Sequence, residues 1–581
     1  MRSRLSSSPR RVFLLLFPLF ALAVSQAGAE QPAPPAGLLG TGLEALPRER
    51  PPLPDFRPET KPDIGLPPLE PAPQAPLSSQ ARILVTRIEV TGNTVFSRSE
   101  LAEVIAPFEG REITAEELQS LRRQLTLFYV DQGYVNSGAV IPDQEVSDGV
   151  VTIRIVEGSL TGIEISGLRR LREGYVRDRL QRGLAGALDM DDLGRNVLSM
   201  HDGPVVKRIK ARLRPGAKPG EGILHAEVEE KGPWDLRFQV ANDRSPSVGG
   251  ERLQTYLAHH NLTGWADTLD LKGSLTEGVG DGEISYSRPL FADDTMVRAW
   301  YSKCNSEVVE SPFDALDISS KTETYGIALD HPFGREDGRS WSIGPTLEHR
   351  RGETFLLGEP FFFSPGAVDG VVEITAFRLS QGFLLRRPSR VVACRQMLSL
   401  GINGLGTAVS DPGPEKNFIA WLGQAQWAER LGDHEIQLIT RVDLQLAHEP
   451  LLYLEKFAVG GATKVRGYRE NLLVRDNGIL ASVELRVPVG RVPLFGLSRE
   501  VEDGAVQLAP FIDWGRSWNS ETPRSEEKEV ASLGVGLRWD PSPKLHAQIY
   551  FAYPLNDDGI DQATHDLQDS GIHFMVTCQV F

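Results

Sequence analysis

The chain has 581 residues, a formal net charge of −16 and three cysteines. That length holds several domains, and the acidic balance argues against a nucleic-acid partner. Cys304, Cys394 and Cys578 are odd in number and far apart, which excludes a disulfide framework or a metal site of the usual ligand spacing.

Residues 1–29 read as a secretory signal peptide. Arg2, Arg4, Arg10 and Arg11 give a basic start, Val12 to Val24 is uncharged and mostly apolar, and Ala27-Gly28-Ala29 supplies a small-x-small cleavage pattern. The apolar run is too short to span a ~30 Å hydrocarbon core as a helix, so an anchor is disfavoured. Cleavage after Ala29 leaves Glu30 as the mature N-terminus. Residues 30–80 are crowded with proline, as in Pro32-Ala33-Pro34-Pro35 and Pro51-Pro52-Leu53-Pro54, and read as an extended linker. Within it, 36–48 is a candidate short helix that could plug a pore, with Leu38, Leu39, Leu43 and Leu46 on one side.

Residues 81–158 read as a small α+β domain. Ile83 to Thr91 predicts a strand and Gly92-Asn93 a turn. Thr114-Ala115-Glu116-Glu117 is a capping box, followed by Leu118, Leu121, Leu125 and Phe128 at helical spacing, and Gly133 closes the helix. Tyr134 to Ile141 predicts a second strand, and the alternation of Val151, Ile153 and Ile155 a third. Residues 159–231 repeat the pattern more faintly. Ile163 and Ile165 mark a strand, Tyr175 to Leu184 and Leu193 to Leu198 suggest helices, and alternating residues flank the turn Pro215-Gly216.

From 232 to 581 the period changes. Apolar residues recur at every second position in segments separated by polar, glycine-rich connections. In the clearest, Ile436, Leu438, Val442, Leu444 and Leu446 face one way while Gln437, Arg441, Asp443 and Gln445 face the other. About sixteen such segments can be placed, long enough to cross a bilayer at a tilt. No stretch approaches the ~20 apolar residues of a membrane helix. Connections after odd-numbered segments tend to be long (305–320, 352–370, 448–477) and most after even-numbered ones short, although 490–504 is not. The expected fold is a membrane β-barrel of about sixteen antiparallel strands, closed because hydrocarbon leaves no partner for an open edge. Trp234, Trp300, Tyr301, Trp539 and Tyr553 near predicted strand ends suit an interfacial girdle. The C-terminal Phe581 falls out of phase with the apolar face Ile572, Phe574, Val576, Cys578 and Val580.

Three groups of residues resemble a known family. Gly92-Asn93-Thr94, Gly133-Tyr134-Val135-Asn136-Ser137, Ile141-Pro142-Asp143-Gln144 and Val156-Glu157-Gly158 resemble the first POTRA domain of two-partner secretion transporters, the outer-membrane exporters of haemolysins and filamentous haemagglutinins. Leu213-Arg214-Pro215-Gly216 resembles the end of their second POTRA domain. Val465-Arg466-Gly467-Tyr468 resembles the motif of their long sixth extracellular loop, here 448–477 between strands eleven and twelve. The resemblance implies that this loop folds into the pore and that Arg466 pairs with an aspartate on the wall of strand thirteen. Asp513, within the strand motif Phe511 to Gly515, matches that position. It implies further an outer-membrane pore with periplasmic POTRA domains, which recognises an unfolded partner (an adhesin, haemolysin or similar exoprotein) and exports it. The alternative is an assembly factor that inserts other barrels.

Outer-membrane lipids, a monomeric barrel and no cofactor are expected. Phosphate-cradling, metalloprotease and serine-nucleophile motifs are missing from the sequence, so an enzyme is not expected. His259-His260 lacks ligand spacing and reads as a turn pair.

Overall fold

The computed structural model describes residues 82–581 apart from 147, 202, 337, 362, 364–366, 403–416, 433–434, 502, 521–526 and 557–564, together with Leu53, Phe56, Ile64 and Gly65. The signal peptide, most of the linker and the helix expected over 36–48 lie outside the described residues.

In the first α+β unit, helices α1 (Arg98–Ile105) and α2 (Ala115–Asp131) accompany a sheet ordered Arg87–Thr91, Val150–Val156, Gly138–Val140. The strand expected over Ile83–Thr91 is two strands. Arg82–Val85 pairs with Arg111–Thr114 in a separate sheet, and the chain bends where the Thr86 amide donates to the Gly149 carbonyl at 2.8 Å. The strand expected over Tyr134–Ile141 shortens to Gly138–Val140, because the Ser137 amide turns back to the Tyr134 carbonyl and the Tyr134 ring packs on Phe96. Thr114 and Glu117 exchange the two bonds of a capping box at the start of α2. A second capping box, Ser97 with Glu100, starts α1. Leu101, Leu121, Leu125 and Ile153 form the core.

The second unit runs Ser159–Ser166, α3 (Glu173–Leu180), α4 (Met190–His201), Val206–Pro215 and Glu221–Glu230. Asn136, Ser137 and Gly158 belong to the joint between the units. The Asn136 amide donates to the Gly220 carbonyl at 3.2 Å, and the Gly158 amide to the Ser137 hydroxyl at 2.9 Å.

Sixteen long strands among the described residues then close into a barrel. The first eight are β1 (Trp234–Ala241), β2 (Arg252–His260), β3 (Thr268–Leu275), β4 (Val279–Pro289), β5 (Met296–Glu307), β6 (Ser319–Glu336), β7 (Arg339–Leu356) and β8 (Val371–Arg386). The rest are β9 (Arg390–Ile402), β10 (Ile419–Leu431), β11 (Ile436–Ala447), β12 (Asn477–Arg491), β13 (Ala505–Trp518), β14 (Lys528–Ser542), β15 (Leu545–Pro554) and β16 (Ile572–Gln579). Each pairs antiparallel with its neighbours, and β16 returns to β1 with Cys578 opposite Phe238.

Burial gives the alternation its direction. On β11, Val442 and Leu446 are 36% and 42% exposed, whereas Asp443 and Gln445 are 7% and 2% exposed. Apolar side chains therefore face outward and polar ones inward, the inverse of a soluble protein and the pattern that lipid demands. Leu508, Ile512, Leu533, Val535 and Leu537 continue the outward face.

Several details differ from expectation. Trp300 and Tyr301 fall in the middle of β5, since that strand runs on to Glu307. His259 and His260 end β2 rather than forming a turn, with His259 edge-on to Trp234 and His260 beside the Thr268 hydroxyl. The connection 276–278 is short although it follows an odd strand.

The second unit seats against the turns on the side where the chain enters the barrel. The buried Arg179 pairs with Asp294 at 2.9 Å and donates to the Phe291 carbonyl at 3.2 Å, and the Arg172 amide donates to the Gly264 carbonyl at 2.9 Å.

Candidate functional site: a loop clasped inside the barrel

The 448–476 connection between β11 and β12 folds against the inner wall instead of extending outward. Phe457–Val459 and Leu473–Arg475 pair as a small hairpin. Val459, Val465, Tyr468 and Leu472 pack on Met397, Leu422, Leu480 and Val530 of the wall. Burying these apolar groups offsets the entropy of ordering so long a connection.

At its tip, Arg466 reaches Asp513 through two side-chain donors. Nε donates to Oδ2 at 2.7 Å and Nη2 to Oδ1 at 2.8 Å, while the Arg466 backbone amide adds a third bond at 3.1 Å. Nη1 donates to Glu484 at 2.6 Å, and Arg486 holds the other oxygen of that carboxylate at 2.7 Å. Two arginines and two carboxylates thus meet here, with Arg441 and Arg538 also acting on Glu484, and Asp513 and Glu484 are fully buried. The guanidinium carbon lies 3.5 Å from the centre of the Phe511 ring and 4.7 Å from that of Tyr550. A planar cation that pairs in its plane and stacks on its face is a role for arginine that lysine does not fill.

The neighbours of Arg466 fix the loop backbone. The Gly467 amide donates to His573 Nε2 on β16 at 2.9 Å, and Gly467 adopts φ +90°, where a Cβ would approach that of Ala552 to 3.0 Å. The Tyr468 hydroxyl donates to the Ala531 carbonyl at 2.8 Å, and Val465 is fully buried. Gly515, two residues beyond Asp513 on the same face, clears the space for Val465 and Val459. A Cβ there would meet Val459 at 2.7 Å and Val465 at 3.0 Å. Arg469 ties the loop to two other connections through Glu310 at 2.8 Å and Asp569 at 2.5 Å. All seven residues singled out from the sequence, Val465 to Tyr468, Phe511, Asp513 and Gly515, therefore meet at one place on the wall.

The family model for the haemolysin secretion/activation proteins ShlB/FhaC/HecB matches residues 220–539. The chain belongs to this family. The model for the ShlB-type POTRA domain matches residues 83–158. Among curated relatives, the heme/hemopexin transporter protein HuxB of Haemophilus influenzae (strain 86-028NP) is 22% identical over 87% of this chain and 90% of its own length. The outer membrane transporter CdiB of Dickeya dadantii is 21% identical over 83% of this chain and 86% of its own. The solved structure of CdiB from Escherichia coli covers 88% of this chain and 93% of its own at a TM-score of 0.67 and 19% identity, which shows a shared fold. The chain is accordingly an outer-membrane transporter of the two-partner secretion family, with its POTRA region in the periplasm.

Sequence reasoning assigned no role to Glu484, Tyr550 or His573. Glu484 left a signal, because it occupies the inward phase of a strand whose outward phase is Val483 and Leu485. A carboxylate at such a position implies a cation in the lumen. His573 and Tyr550 left none, since only the fold of the loop brings them to residues 466 and 467.

Proposed function

We propose that this transporter captures an unfolded exoprotein in the periplasm and passes it through the barrel, with the clasped loop as the element on which passage depends. The observation that carries the proposal is the enclosed pairing of Arg466 with Asp513 and Glu484, which holds a long loop in the path that a client would take. A porin has no use for so costly an arrangement, because enclosed ions repay their desolvation only when every partner is in place.

Residues 81–158 and 159–231 act in this reading as two POTRA domains that receive the client, after a signal peptide over 1–29 and a linker over 30–80. A small sheet with an accessible edge takes an extended chain as an added strand through main-chain bonds, without regard to side-chain sequence. In support, Ile64–Gly65 already adds in parallel beside Val206–Pro215, with Ile64 opposite Ala211. The client is an adhesin, haemolysin or similar exoprotein, the barrel works as a monomer in outer-membrane lipid, and no reaction is catalysed.

Deleting 81–158 or 159–231 while following both insertion of the barrel and release of a co-expressed exoprotein tests the proposal. Lost release with insertion intact supports it. Failure of many other outer-membrane barrels to insert would point instead to an assembly factor.

A further inference from the structure

The loop is held at a second place, near its root on leaving β11. Leaving β11, it runs along β7 to β9, where Leu451, Leu452 and Leu454 pack on Val372, Ile374 and Ala376. Glu455 is fully buried there. Arg378 of β8 grips both of its carboxylate oxygens, Nη2 to Oε1 at 2.8 Å and Nη1 to Oε2 at 3.0 Å. Arg378 also meets Glu348 of β7 at 2.9 Å and Ser399 of β9 at 2.8 Å. Arg350 lies 2.8 Å from Glu348 and donates to the Leu454 carbonyl at 2.9 Å. Gln445 of β11 donates to the Glu455 carbonyl at 3.0 Å.

This group has the same composition as the clasp at the tip, two arginines and two carboxylates enclosed together. Its members are wall residues except for one, Glu455, which the loop supplies. Without it the wall would keep two guanidinium groups against one carboxylate in an enclosed setting, a strongly unfavourable balance.

We infer that Glu455 is a second anchor of the lumen loop, a positioning residue that pins the loop's root to β7–β9 while the tip is held by β12, β13 and β16. The loop then spans the lumen between two ionic clasps. Releasing either one lets part of the loop leave the pore, and full opening needs both. This rests on the proposed role of the loop in passage but assigns a function to residues outside its sequence motif.

The test is single-channel recording of the purified full chain in planar lipid bilayers, for the parent, Glu455→Gln, Arg466→Ala, and the exchanged pair Glu455→Arg with Arg378→Glu. Folding is checked by heat-modifiable migration in gels. The expected result is that Glu455→Gln opens several-fold more often than the parent, and that the exchanged pair, which restores two charges of each sign, returns towards parental closure. A generic packing defect would not be repaired by exchanging the charges. Parental recordings for Glu455→Gln beside frequent opening of Arg466→Ala would overturn the second anchor alone. Parental recordings for both would overturn the reading of the loop itself. Should Glu455→Gln not reach a heat-modifiable barrel, Gln445→Ala, which removes the bonds from the wall to the Glu455 and Asp476 carbonyls at the two ends of the loop, is read by the same criteria.

Discussion

Replacing Arg466 by alanine removes the three side-chain bonds that hold Asp513 and Glu484 at 2.6–2.8 Å. Arg486 remains beside Glu484, but Asp513 keeps only the backbone amide of residue 466 and becomes an enclosed, uncompensated charge. Breaking an enclosed pair by removing one partner costs about 3–5 kcal/mol. At roughly 1.4 kcal/mol per tenfold, the ratio of docked to undocked loop falls by about two to four orders of magnitude. The barrel ladder is untouched, so insertion persists. The assay pairs heat-modifiable migration, which reports the barrel, with release of a co-expressed exoprotein and trypsin cleavage after Lys464 or Arg469, which report the loop. The expected outcome is an inserted barrel with a cleavable loop and poor secretion. Arg466→Ala combined with Asp513→Asn should recover part of the loop protection, because the stranded charge is gone. Parental secretion together with a protected loop in Arg466→Ala would refute the reasoning.

Three other outcomes are expected. Gly515→Val drives a side chain into Val459 and Val465 and should cost about 1–3 kcal/mol of docking, seen as loop cleavage with the barrel still heat-modifiable. Arg179→Ala removes the bonds to Asp294 and the Phe291 carbonyl, about 1–3 kcal/mol, and should raise hydrogen exchange in α3 and in 290–295 without loss of the barrel. Glu157 is the third case. Burial raises its pKa, but bonds from Thr94, the Val95 amide and Tyr129 outweigh that and hold it below the ordinary carboxylate value. Its contribution is therefore complete above the unfolded pKa and is lost as pH falls through the lower folded one. The protection factors of the Thr94 and Val95 amides in the full chain, taken against the intrinsic exchange rate at each pH, should fall on acidification, and in Glu157→Gln they should be low already at neutral pH.

The sequence made the barrel legible because its two phases differ so strongly in polarity, while Asp513 was singled out by the resemblance and its inward phase agreed with it. The capping box at Thr114 and Glu117 marked α2 for the same reason, as a local pattern with a local cause. The strand from Ile83 to Thr91 misled because its alternation continues through Thr86, while its hydrogen-bond partners change sheet there. Glu455 and Arg378 were silent. They lie 77 residues apart in the chain, and nothing local to either records the direction in which the loop leaves β11.

The central claim is that the client passes through the lumen that the clasped loop occupies. A photo-crosslinking residue at Gln424, whose side chain is 7% exposed on the inward phase of β10, compared with one at Ile512, 52% exposed on the outward phase of β13, tests it directly. With a co-expressed exoprotein stalled in transit, the account predicts crosslinks to it from position 424 and none from 512. Crosslinks from 512 alone, or equal yields from the two faces, would contradict it.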